Sequence, residues 1–200
     1  MTNKFTLSTL FLISINFIFA QSQVFDNLKM DSEILNMERK YSIYLPPDYE
    51  ISSRSYPVLY LLHGLGDDHT GWVQFGEVKK IADESIINGD ATPMIIVMPD
   101  ANTGYVGYIN IPSENWLYED FFFNELMPYV ESKYRIKSEK RFRAISGLSM
   151  GGGGTLIYAL HRPDLFSAAA PLSPAIGPTT PKEFIAVSYT HLTLPTTGSV

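Results

Sequence analysis

Two hundred residues, 45% apolar and 18% charged, make one domain of ordinary size with a real core and exclude an intrinsically disordered chain. The formal charge of −6 comes from interspersed acids and bases, which leaves no basic footprint for nucleic acid or an anionic membrane surface. The absence of cysteine removes disulfides, thiolate zinc sites, a thiol nucleophile and a lipid-modified N-terminal cysteine at once.

Residues 1–20 read as an export signal. Lys4 supplies the positive end, Phe5 to Phe19 is an apolar run broken only by Thr, Ser and Asn, and Ala20 precedes the polar Gln21-Ser22-Gln23. The run is short for a membrane span, and no second one follows. The expectation is a secreted or periplasmic protein cleaved after Ala20, with no membrane anchor; a retained N-terminal anchor is the alternative reading.

From residue 38 a β-α-β-α rhythm begins. Arg39 to Leu45 alternates polar and apolar and ends at Pro46-Pro47, as a half-buried strand does. Val58 to Leu62, Met94 to Met98, Phe142 to Gly147 and Phe166 to Ala170 are near-continuous apolar runs of the kind covered on both faces. Between them, Val73, Val78, Ile81, Ala82 and Ile86 mark one helix face, and Phe122, Leu126, Tyr129 and Val130 mark another. Pro128 predicts a kink or broken turn in that second helix. A third helix runs between Leu148 and Arg162, with Pro163 past its end. Strands separated by helices of this length imply a mainly parallel central sheet in a three-layer α/β sandwich.

Gly147-Leu148-Ser149-Met150-Gly151 matches G-x-S-x-G at a point where a buried strand turns directly into a helix. Such a turn exposes a strained serine, and the flanking glycines let strand and helix pack closely. Gly151 to Gly154 cost about 1 kcal/mol each relative to Ala in a helix, so something other than helix propensity places them there. The helix N-terminus also favours developing negative charge at Ser149. After the first buried strand comes His63-Gly64-Leu65-Gly66-Asp67-Asp68, placed to supply the other half of an oxyanion hole. The backbone amides of Leu65 and Met150 are the candidate donors. This loop lacks the third glycine and the Lys of a phosphate-binding loop. His63 is read as shaping the loop rather than as a base. Asp100, Tyr105, Trp116 and Glu119 follow strand ends or open the next helix; Trp116 and Glu119 are carried forward as candidate substrate-binding residues.

Together these segments resemble the putative-esterase family of α/β-hydrolases. The resemblance rests on His63-Gly64 with Trp72, Val97 to Asp100, Tyr118 to Phe122, Arg143 to Gly152 and His161 to Phe166, over roughly residues 38–175. That family includes esterase D, S-formylglutathione hydrolase, feruloyl and acetylxylan esterases, a tributyrin esterase and the mycolyltransferases. The resemblance implies a serine carboxylic-ester hydrolase with a Ser-Asp-His triad and no cofactor or metal. It also implies small-molecule or polysaccharide esters, acetyl or feruloyl, as substrates. Acyl transfer of the mycolyltransferase type, or a non-catalytic secreted binding module, are the alternatives; oligomeric state is not legible.

The family order Ser, acid, His leaves few partners downstream of Ser149: Asp164, Glu183, His161 and His191. His161 lies twelve positions along the helix, about 18 Å away. Residues 187–200, which contain His191, are uncharged except for that histidine. They break the α/β rhythm and resemble translated sequencing-adapter read-through. The expected organisation is therefore a signal peptide at 1–20, a partial esterase domain at 21–186 lacking its C-terminal strands, and a non-native tail at 187–200. The missing strand–helix units, at ~30 residues each, would carry the acid and base, and the 200-residue chain is expected to be inactive without them.

Overall fold

The computed structural model describes residues 21–102 and 107–175. The expected signal segment, Tyr105, His191 and the expected tail all lie outside the described residues.

Val58–Leu62 (β3) is apolar along its length because it is the interior strand on which the sheet is built. It pairs in parallel with Ile95–Pro99 (β4) on one side and Arg143–Leu148 (β7) on the other. Met37–Leu45 (β2) joins β4 antiparallel, and Gln23–Ser32 (β1) joins β2 as a hairpin. Ala168–Leu172 (β8) pairs in parallel with β7. The six-stranded order is therefore β1-β2-β4-β3-β7-β8, with a separate two-stranded ribbon of Asn110–Ile111 (β5) and Trp116–Leu117 (β6).

Side-chain alternation sends Tyr60, Leu62, Val97 and Ile145 to one face. There they meet Phe121 and Phe122, Val130 and Tyr158 of the helical layer, forming the main core. The opposite face carries a smaller cluster of Tyr44, Leu61, Val78, Ile96 and Met98. This is the three-layer arrangement expected.

The periodic segment at 73–86 is two helices, Gly71–Gln74 (α1) and Val78–Ile87 (α2), parted at Phe75-Gly76-Glu77. A Cβ on Gly76 would stand 2.7 Å from the Trp72 ring, and Glu77 takes a left-handed φ of 46°, so the chain breaks there while the apolar face continues across the break. The kink expected from Pro128 takes a definite form. Tyr118–Phe121 (α3) passes through a π-helical turn at Phe122–Leu126 into Met127–Lys133 (α4). Pro128 has no N–H and its ring clashes with the carbonyl four residues back, and a wide turn just ahead of it relieves both.

The sequence pattern did not reveal β1, whose register shifts between Phe25 and Leu28. The last strand begins two residues later than its apolar run, and Ala168, Ala169, Ala170 and Leu172 are exposed rather than buried. Among the described residues nothing pairs with its outer edge.

Candidate active site

The turn from β7 into Met150–His161 (α5) is one residue long, and that residue is Ser149, at φ 55° and ψ −110°. A non-glycine residue held there stores about 1–3 kcal/mol of strain and persists only when its surroundings impose it. They do so through the main chain. The Ser149 amide donates to Leu172 O at 2.9 Å, and its carbonyl accepts from the amides of Gly153 (2.9 Å) and Ala175 (2.8 Å). Two glycines explain how the helix start fits. A Cβ on Gly151 would run into the carbonyl of Leu62 and lie 2.6 Å from His63 O; one on Gly152 would lie 2.6 Å from Leu172 O. The first turn of α5 is wedged between the ends of β3 and β8.

The loop after β3 passes over Ser149: a Cβ on Gly64 would lie 3.5 Å from Leu148 O and 3.8 Å from Ser149 Cβ. Loop and helix start thus bring the segments carrying the Leu65 and Met150 amides to Ser149. Among the described residues neither amide has a backbone acceptor, and the first N–H groups of a helix have none within it. Ser149 is half-buried and immediately precedes the N-terminus of α5, whose dipole favours negative charge there.

His63 is 1% exposed and does not offer a base to Ser149. The Ala101 amide donates to its Nε2 at 2.9 Å, which leaves Nδ1 to donate to Gly64 O at 2.8 Å, so both ring nitrogens are committed. Tyr108 donates its hydroxyl to His63 O at 3.2 Å. Burial pushes that phenol well above its ordinary pKa, which keeps the hydroxyl a neutral donor. Nothing in the aperiodic segment 107–110 signalled this role for Tyr108.

None of the other candidates hydrogen-bonds Ser149 among the described residues. Trp116 is 1% exposed; its indole N–H donates to Gly107 O and its ring stacks on Tyr118 at 5.3 Å, so it supports a wall and presents almost no surface to a ligand. Glu119 accepts from His161 Nδ1 at 2.7 Å. That pairing holds Glu119 at the far end of α5, about 18 Å along the helix from Ser149. Asp100 caps a turn, accepting from the Asn102 amide at 2.8 Å. Its carbonyl receives the Tyr118 hydroxyl and the guanidinium of Arg39. Arg39, read in the sequence only as a polar position in an alternating strand, is 1% exposed and packs over the rings of Trp116 and Tyr118. Asp164 is tied to Arg162 at 2.9 Å. No imidazole or carboxylate among the described residues hydrogen-bonds the Ser149 hydroxyl.

A family model described as "Putative esterase" matches residues 32–191. An esterase of Mycobacterium tuberculosis is 36% identical over 133 residues, covering 64% of this chain and 27% of that protein. An endo-1,4-beta-xylanase/feruloyl esterase of Xylanibacter ruminicola is 33% identical over 144 residues, 68% of this chain and 19% of that protein. Among solved structures, a ferulic acid esterase superposes with a TM-score of 0.70 at 41% identity, covering 73% of this chain and 58% of the other. A ferulic acid esterase of Anaeromyces mucronatus superposes with a TM-score of 0.66 at 26% identity, covering 82% and 63%. The chain thus spans about a quarter or less of these curated relatives and about three fifths of the solved chains. The likeness establishes the α/β-hydrolase fold.

Proposed function

The chain belongs to the putative esterase family, and from that premise we propose that it carries the nucleophile of an exported serine carboxylic-ester hydrolase. The observation that carries this reading is the backbone of Ser149, held at φ 55° between a buried strand and a helix N-terminus. A non-catalytic binding module has no use for that strain. Ser149 Oγ attacks the ester carbonyl, and its proton passes to a base. The carbonyl becomes an oxyanion between the Leu65 and Met150 amides. On collapse the C–O bond to the alcohol breaks, the alcohol takes the proton, and an acyl-enzyme remains; water then releases the acid by the same route.

The base and its acid come from outside the described residues on this reading, since no imidazole or carboxylate among those residues hydrogen-bonds the Ser149 hydroxyl and His63, His161 and Asp164 have other partners. With residues 187–200, His191 included, read as a non-native tail, the 200-residue chain is inactive on this reading and residues 21–186 are an incomplete domain. Acetyl or feruloyl esters of carbohydrate are the substrate class, supported by the similarity to feruloyl esterases. Export is supported by the pattern at residues 1–20. Among the described residues no helix is long and apolar enough to cross a membrane.

The test compares protein expressed from the natural gene with its Ser149→Ala variant, on p-nitrophenyl acetate and methyl ferulate. Wild type turns over, and the variant loses at least about 10⁴-fold in kcat. An alanine variant as active as wild type would defeat the serine mechanism. Turnover by the 200-residue chain, abolished by the same substitution, would defeat the claim that it is incomplete.

A further inference from the structure

Three successive carbonyls at the end of β3 are each held by a different group. Leu62 O accepts the Trp72 indole N–H at 3.2 Å, and His63 O accepts the Tyr108 hydroxyl at 3.2 Å. Gly64 O accepts His63 Nδ1–H at 2.8 Å and the Asp67 amide at 3.3 Å. The third matters most. A trans peptide is planar, with its carbonyl and the following N–H pointing in opposite directions, so whatever fixes Gly64 O also fixes the Leu65 N–H.

The geometry points to His63 as a positioning residue for the oxyanion hole. The imidazole draws the Gly64 carbonyl toward the protein interior and thereby turns the Leu65 amide outward, on the side where the loop crosses Ser149. The ring is itself held against rotation. Ala101, just past the end of β4, donates to Nε2 at 2.9 Å, and Tyr108 packs edge-on at 5.8 Å between centroids. The chain of support therefore runs from the end of β4 through an imidazole to one peptide plane. At 1% exposure His63 does not touch substrate and acts only through that plane. The inference rests on the reading of Leu65 as an oxyanion donor.

Two substitutions separate the role from general packing. His63→Asn would place a side-chain N–H near the position of Nδ1, whereas the longer amide of His63→Gln would reach only the position of Nε2. The enzyme from the natural gene is assayed as both variants on p-nitrophenyl acetate, with inactivation by a fluorophosphonate and melting temperature measured alongside. His63→Gln lowers kcat and the inactivation rate about 10²–10³-fold with KM within about threefold, as loss of one oxyanion donor does. His63→Asn recovers at least about tenfold of the loss in kcat while melting no higher than the Gln variant. Equal kcat in the two variants, or losses that track melting temperature, would overturn the positioning role. If the Gln variant fails to fold, the Asn variant carries the test: kcat within about tenfold of wild type supports the role, and a larger loss overturns it. Ser149→Ala in the same assay separates the failures. If it leaves turnover intact the esterase reading falls; if it abolishes turnover while His63→Gln does not reduce it, only the positioning role falls.

Discussion

Replacing Gly151 by Ala adds a single methyl group, and the structure says where its cost falls. The new carbon would lie 2.6 Å from His63 O and as close to the carbonyl carbon of Leu62, with the Leu62 oxygen nearer still. All three atoms are backbone, so no side chain can swing aside. Restoring an ordinary contact of about 3.4 Å requires most of an ångström of displacement between α5 and the end of β3. Overpacking of this kind costs about 1–3 kcal/mol, a fall in melting temperature of about 2–12 °C for a domain of this size. The displaced atoms begin the loop that carries Leu65, and misplacement of about 1 Å at a site costs about 10²-fold in rate. Gly89→Ala is the control. Its φ of 79° makes alanine strained, but nothing lies within 4 Å of the added carbon. That variant loses about 1–2 kcal/mol and keeps its kcat. Thermal unfolding and p-nitrophenyl acetate hydrolysis on both variants decide the matter. Two glycine variants equally destabilised and equally active would refute the argument that close approach at Gly151 sets the geometry of the site.

Two buried polar groups can be tested in the same protein. Arg143 binds Glu131 through Nε and Nη2 at 2.6 and 2.7 Å, both side chains being 11% exposed, and Tyr60 donates to the same carboxylate. Glu131→Gln leaves that guanidinium without its counter-charge and costs about 3 kcal/mol; a calorimetric melting temperature within about 2 °C of wild type would contradict this. Burial lowers the pKa of His69, against the opposing pull of Asp68 and Asp100 and with the aid of Lys40. Below about pH 6.5 the unfolded chain therefore binds a proton that the fold resists, and stability falls as pH drops from there toward the folded-state pKa. His69→Asn flattens that slope, which for one proton cannot exceed about 1.4 kcal/mol per pH unit. Denaturant unfolding at pH 7.5 and 5.5 gives the slope, and an unchanged value would remove His69 as its source.

Ser149 was legible because its requirements are local: a strand, one strained residue, a helix, and small neighbours where three backbones meet. The runs at Val58–Leu62 and Met94 to Met98 were legible because burial on both faces leaves no room for polar residues. β1 was not, since its solvent-facing positions and the register shift after Phe25 break the alternation that marks a strand. Nor could spacing place Glu119. Its partner is His161, 42 residues away at the end of α5. Trp116 has the composition of a ligand-stacking residue, and only the tertiary fold turns it inward against Arg39 and Tyr118. Tyr108 carries no pattern at all; its value lies in which carbonyl it meets.

The anchoring of Ser149 to Leu172 also sets an order in time. β3 must wait for β7, some eighty residues later in the chain, before it acquires its second parallel partner, and such distant pairings form slowly. Even then the serine has only half its support, because the carbonyl that receives its amide comes with β8. Until that strand docks, the turn is held only by the Gly153 amide and by the close approach of Gly151 to the end of β3. The φ of 55° at Ser149 is therefore imposed by strand assembly as well as by the pentapeptide, and its support is complete only once β8 has paired with β7.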